Sequence, residues 1–180
     1  MTPDEDLMVA CGGGSADAFG ELFARYRQKI WAFFRRRVAN PARAEELAQD
    51  VFVAVLNGAK RYEPRAPFRS YLFGIAFRVL AADRRRVDPP SVAIADASHG
   101  MAVGAAGDET LWVRQALARL DRDDREVLML REFEELSYAE IASIFGLPIG
   151  TVRSRLFRAR SALRRALVPA ARDEREQSCR

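Results

Sequence analysis

Apolar residues in this chain recur every three or four positions, in runs punctuated by glycine and proline. A period near 3.6 is the mark of amphipathic helix, and no stretch alternates with the period of 2 that a half-buried strand requires. The fold class that follows is all-α. Asp4–Cys11 reads as a short helix ended by Gly12, Gly13 and Gly14. Ser15 or Asp17 caps a long helix to Val38, with Phe19, Leu22, Phe23, Tyr26 and Ile30 on one face. Asn40-Pro41 stops that helix and starts a third, Ala42–Leu56, which buries Ala44, Leu47, Ala48, Val51 and Val55 and ends at Asn57-Gly58. After a loop at Ala59–Pro67, Phe68–Arg86 reads as a fourth helix, aromatic at its start and basic at its end.

Between residues 87 and 108 the periodicity disappears into Pro89, Pro90 and scattered Gly, Ala and Ser, the composition of a flexible linker. Fully extended, such a linker reaches about 70 Å. Beyond it, Leu111–Leu120 and Asp123–Glu132 are amphipathic. Ser137, with Glu140 three residues on, forms a capping box that opens a short helix. Gly146 ends it, Leu147-Pro148-Ile149-Gly150 turns, and Thr151 caps a last helix to about Val168. The organisation is therefore two small helical domains, residues 1–86 and 109–168, joined by a flexible linker at 87–108 and followed by a polar tail at 169–180.

Several classes of function are disfavoured. No apolar run approaches the roughly 18–20 residues of a bilayer span. Asp4, Glu5 and Asp6 stand where a signal peptide would be basic, so a cytoplasmic protein is expected. Cys11 and Cys179 are far apart in sequence, and the single histidine, His99, sits in the linker. Neither a metal site nor a disulfide is expected, and no cofactor. Paired carboxylates such as Glu45/Glu46 and Glu134/Glu135 do not suggest an enzyme. Neighbours on a helix point about 100° apart and cannot share one substrate atom.

The net charge of +4 is modest, but Thr151–Arg165 holds six arginines and no acid. Basic charge gathered on one helix suits a phosphate backbone. Short helix, glycine-containing turn and longer basic helix is the layout of a helix-turn-helix over Ser137–Leu167. On the last helix Val152, Leu156, Ala159 and Leu163 fall within about 60° of arc and make a packing face. Ser154, Phe157 and Arg158 lie opposite, with Arg153 on the flank. Arg can read guanine, Ser either partner, and Phe can lie on a thymine methyl. Thr151 and the first-turn amides suit a phosphate.

These segments resemble the extracytoplasmic-function (ECF) sigma factors. Leu130–Ala142 and Gly146–Arg160 are similar to that family's region 4, Ala44–Phe52 to region 2.2, and Phe68–Ala76 to regions 2.3 and 2.4. Asp17–Tyr26 is similar to its opening helix, so the resemblance covers residues 4–168 in order. It implies an alternative sigma factor that binds core RNA polymerase and directs initiation at promoters, without catalysis of its own. The first domain would bind core and read and melt the −10 element; the second would read the −35 element through Thr151, Arg153, Ser154, Phe157 and Arg158. For the −10 strand the resemblance points to Arg61, Tyr62, Arg69, Tyr71, Arg78, Arg84 and Arg85, residue types that stack on bases and neutralise phosphates. It points to Glu46, Gln49 and Asp50, bordered by Phe52, for docking on the β′ clamp coiled coil of the polymerase, whose β subunit is the other expected contact. An anti-sigma factor is a further expected partner.

Three positions depart from the family pattern. Tyr71 stands for the usual Trp, Arg78 for a frequent Asn, and Ala82 for an Asp, while Asp83 lies one place on. The alternative class is a helix-turn-helix regulator acting apart from polymerase. Such proteins usually dimerise, and that reading gives residues 1–86 no role.

Overall fold

The computed structural model describes residues 2–87 and 108–167. All but the edges of the linker read at 87–108, the tail at 169–180, His99 and Cys179 lie outside the described residues. Within them are α1 (Asp4–Gly12), α2 (Ala16–Arg35), α3 (Pro41–Gly58), a short 3-10 turn (Ala59–Arg61), α4 (Phe68–Val87), α5 (Asp108–Ala118), α6 (Arg122–Glu132), α7 (Tyr138–Phe145) and α8 (Ile149–Leu167), and no strand. The chain divides into two compact units, the first built on α1–α4 and the second on α5, α6 and α8, with α7 leading into α8.

The first unit is held by an aromatic core. Phe33, Phe34, Phe68 and Phe73 are fully buried beside Met8, Leu22, Ile30, Leu47, Leu72 and Leu80. Ser15 caps α2 by accepting from the Ala18 N–H at 3.2 Å. Asn40 caps α3 through the Ala42 and Arg43 amides, leaving Pro41 in the first turn. Both caps follow from short polar side chains that satisfy the orphan donors of a first turn.

Helix α2 stops at Arg35, three residues before the expected Val38. The Arg37 and Val38 amides both turn onto the Phe34 carbonyl, at 2.8 Å each. The buried Arg37 side chain folds inward, donates to the Phe33 carbonyl at 3.0 Å, and lies 3.9 Å from the Phe33 ring centroid. A cation stacked on an aromatic face and bonded to backbone is tolerated inside, and this return ends the helix.

Acidic residues of α1 do structural work. Asp4 accepts from the Tyr26 hydroxyl and from Arg25 Nη1, and Glu5 accepts from the Phe68 amide at 2.8 Å, capping α4. A carboxylate at a helix N-terminus satisfies a free N–H and complements the dipole. Gly12 brings α1 against the 3-10 turn: a Cβ there would sit 2.6 Å from the Ala59 carbonyl oxygen. Gly12→Ala is therefore expected to lower stability by about 1–3 kcal/mol, the range for overpacking. A urea midpoint unchanged from wild type would refute that contact.

In the second unit Asp121 caps α6, and Ser137 and Glu140 form the expected capping box, at 3.2 and 2.8 Å. Glu135 adopts φ +56 in the turn before it, and Arg131 Nη1 donates across that turn to the Leu136 carbonyl at 2.9 Å. Gly146, at φ +63, ends α7 in the left-handed conformation that glycine adopts without a Cβ penalty. Helix α8 begins at Ile149, two residues before the expected cap at Thr151. The Thr151 and Val152 amides bond to the Pro148 carbonyl at 2.9 and 3.2 Å, so proline's rigid backbone starts the helix and Thr151 lies in its first turn.

Candidate nucleic-acid interface

Helix α8 sorts its residues as its period dictates. Val152, Leu156 and Ala159 are buried, while Arg153, Ser154, Phe157 and Arg158 face outward with Thr151 half-buried at their N-terminal end. Phe157 is 73% exposed, the highest among the exposed large hydrophobics. Burial of a phenyl ring is worth about 2 kcal/mol, so a ring left in water is a contact in waiting. The Ser154 hydroxyl donates to the Thr151 carbonyl at 2.9 Å and keeps its acceptor lone pairs outward.

The arginines of α8 are balanced by acids on another helix. Arg155 pairs with Asp123 at 2.7 Å, Arg160 with Glu132 at 2.7 Å, and Arg158 with the buried Asp124. Three of the six arginines thus fasten α8 to α6, and the acid-free run is less purely a phosphate footprint than its sequence suggests. Asp124 binds one edge of the Arg158 guanidinium: Nε donates to Oδ2 at 3.0 Å and Nη2 to Oδ1 at 2.8 Å. These bonds raise the already high pKa of the Arg158 guanidinium. Arg153 is exposed and makes no ion pair among the described residues.

In the first unit a groove of about 510 Å³ runs between α3 and α4, with Arg61, Tyr71, Arg78 and Ala82 on its walls. It gathers three of the residues expected for the −10 strand. A Cβ on Gly58 would fall on the Tyr71 hydroxyl, so glycine is what lets Tyr71 extend across α3. Tyr62 lies behind, its ring 5.1 Å from Tyr71 and 6.3 Å from Phe68. Burial, reinforced by Glu5, pushes its hydroxyl up to about 12. Tyr62, half-buried, does not line this groove but shares with Tyr71 and Arg78 an adjoining cavity of about 260 Å³. Arg69 and Arg84 are half-buried and Arg85 is exposed, none of them on its walls.

The displaced acid has a structural explanation. Asp83 is buried and binds Arg43 of α3 through Nε at 2.9 Å and Nη2 at 2.6 Å. One place earlier, Ala82 faces the groove. A shift of one residue on a helix turns a side chain by about 100°, here from groove to core.

A second groove, about 310 Å³, lies between α2 and α3, lined by Phe23, Arg27, Trp31, Glu45, Gln49 and Phe52 among others. Of the four residues expected at the polymerase contact, Gln49 and Phe52 meet here. Phe52 is 6% exposed and stacks edge-on against Phe23 at 4.8 Å, so it is the groove's floor. Glu46 and Asp50 are exposed on the neighbouring face of α3, with Glu46 engaged by Arg43 at 2.6 Å. Phe23, expected on the core face of α2, is 39% exposed and lines this groove instead, with Arg27 and Trp31 at four-residue intervals beyond it, a stripe that the sequence reading does not single out.

Residues 22–88 match the family model described as Sigma-70 region 2, and residues 110–163 that described as Sigma-70, region 4. The RNA polymerase sigma-H factor of Pseudomonas aeruginosa is 32% identical, covering 94% of this chain and 96% of its own. The ECF RNA polymerase sigma-E factor of Escherichia coli is 30% identical, with the same two coverages, 94% and 96%. In the solved structures, the sigma factor RpoE of Bartonella quintana, crystallised with the anti-sigma factor NepR, aligns with a TM-score of 0.66 and 27% identity over 83% of this chain and 96% of that one. The chain belongs to the ECF sigma factors. As such it binds core RNA polymerase and directs transcription initiation at promoters, a non-catalytic role.

Proposed function

We propose that the two units divide this work, the first binding core polymerase and the −10 strand, the second reading the −35 duplex. The observation that carries the assignment is the outward face of α8, where an exposed phenyl ring stands among Arg153, Ser154 and Arg158. Ring on thymine methyl, guanidinium on guanine and hydroxyl on either base is major-groove chemistry, with the Ile149 and Gly150 amides, ahead of Thr151 in the first turn, on a phosphate. In the first unit, Arg61, Tyr71 and Arg78 offer a stacking ring between two cations, the arrangement that suits a single strand. Tyr62 supports Tyr71 from behind, while Arg69, Arg84 and Arg85 act on the phosphates flanking the groove. Gln49 and Phe52, with Glu46 and Asp50 beside them, meet the polymerase clamp.

The protein acts in the cytoplasm and has no enzymatic activity in this reading. Among the described residues no helix is long and apolar enough to cross a membrane. An anti-sigma factor belongs to the same reading, as the Bartonella relative was crystallised with one. The test is transcription in vitro with core polymerase on fragmented genomic DNA from the source. Discrete transcripts that require the protein, and that Arg153→Ala or Phe157→Ala removes without loss of core binding, are the expected outcome. Tight duplex binding without binding to core would instead make it a free-standing regulator.

A further inference from the structure

An arginine that reads DNA gains most when its fork is held still before binding. Arg158 is 61% exposed along its side chain, yet two of its donors are fixed by an aspartate whose own side chain is 9% exposed. Asp124 stands in the first turn of α6, anchored by its amide on the cap residue Asp121 at 3.4 Å. It occupies the Nε–Nη2 edge of the guanidinium and leaves the end formed by Nη1 and the second Nη2 hydrogen unbonded among the described residues, on a side chain that is largely exposed. The free end presents two parallel N–H donors in a rigid plane.

We infer that Asp124 is a positioning residue that orients Arg158 end-on to a guanine in the −35 duplex. The inference rests on the reading of α8 as the −35 helix. A fixed pair of donors selects guanine because N7 and O6 are two adjacent acceptors on one major-groove edge. Adenine offers one acceptor and a donor there, thymine one acceptor, and cytosine a donor. Holding the fork in place also removes rotamer entropy that binding would otherwise cost. The carboxylate has a second consequence: near the duplex it repels phosphates, so it lowers affinity for DNA in general while sharpening preference at one base pair.

The test is selection from a randomised duplex pool by the full chain with core polymerase, for wild type, Asp124→Asn and Arg158→Lys. Wild type should enrich a guanine at one −35 position. Asp124→Asn should recover the rest of the motif but lose about tenfold of the preference at that position, while binding to unrelated duplex tightens. Replacing that guanine with 7-deazaguanine should cost wild type affinity and cost Asp124→Asn little. Arg158→Lys, which keeps charge but lacks the fork, should flatten the same position, and it carries the test should Asp124→Asn fail to fold. Undiminished guanine preference in either variant overturns the inference. So does a uniform weakening with a changed salt slope, which marks a phosphate contact. A wild-type protein with no preference anywhere would instead overturn the reading of α8 itself.

Discussion

Phe33→Ala should destabilise the first unit by about 3–5 kcal/mol, the cost of removing a buried phenyl ring from a packed core. The ring is fully buried, and meets Phe34 at 5.1 Å, Phe73 at 5.9 Å and Phe77 at 6.4 Å, so it joins α2 to α4. It is also the platform beneath the Arg37 guanidinium. Truncation leaves a cavity and removes the aromatic face from a buried cation, and both effects act in one direction. A small domain is stable by only about 5–15 kcal/mol, so the loss should bring unfolding near ambient temperature. Two units preclude a single two-state analysis. The chain has two tryptophans, Trp31 in α2 and Trp112 in α5. In a Trp112→Phe background, Trp31 fluorescence therefore reports the first unit alone. A urea midpoint within error of wild type would show that the core closes over the gap, and that Phe33 is not its centre.

Phe33 also shows how far sequence could lead. The helices were legible because apolar period, glycine and proline are local signals, and so were the cap Ser137 and the Asn40-Pro41 boundary, with Ser15 one of two candidates for the cap of α2. What joins distant segments was not. Glu5 caps a helix 63 residues away, and nothing in the first ten residues marks it for that. Asp124 and Arg158 are 34 residues apart, so α8 read alone counts as a helix of unpaired cations. The α2 wall of the groove, Phe23, Arg27 and Trp31, was missed for a similar reason. Period places Glu46, Gln49 and Asp50 off the core together, but only the packing of α2 decides which of them border a cavity. Tyr62, Arg69, Arg84 and Arg85 were singled out as residue types that bind nucleic acid. Residue type alone does not say which of them contacts the strand and which supports a neighbour.

Trp31→Ala should weaken binding to core polymerase about 30-fold, the loss of an aromatic anchor worth about 2 kcal/mol. Trp31 is half-buried at the rim of the α2–α3 groove, above a floor made by Phe52 and Phe23. A concave apolar floor with a polar rim of Arg27, Glu45 and Gln49 is what a partner helix requires, with aromatic contact at the centre and hydrogen bonds around it. Gln49→Ala, at that rim, should cost less, about fivefold, because a neutral hydrogen bond contributes about 1 kcal/mol. Glu46→Ala and Asp50→Ala lie on the adjoining face of α3 and should change the association rate and its salt dependence more than the lifetime of the complex. Titration of labelled core with each variant, with thermal melting to confirm folding, separates the two faces. If Trp31→Ala binds as wild type while Glu46→Ala and Asp50→Ala release core, the clamp lies across the acidic face of α3 and the groove serves another purpose. If Trp31 and Gln49 dominate, the polymerase holds this subunit by an aromatic cleft, and the acids beside it guide the approach.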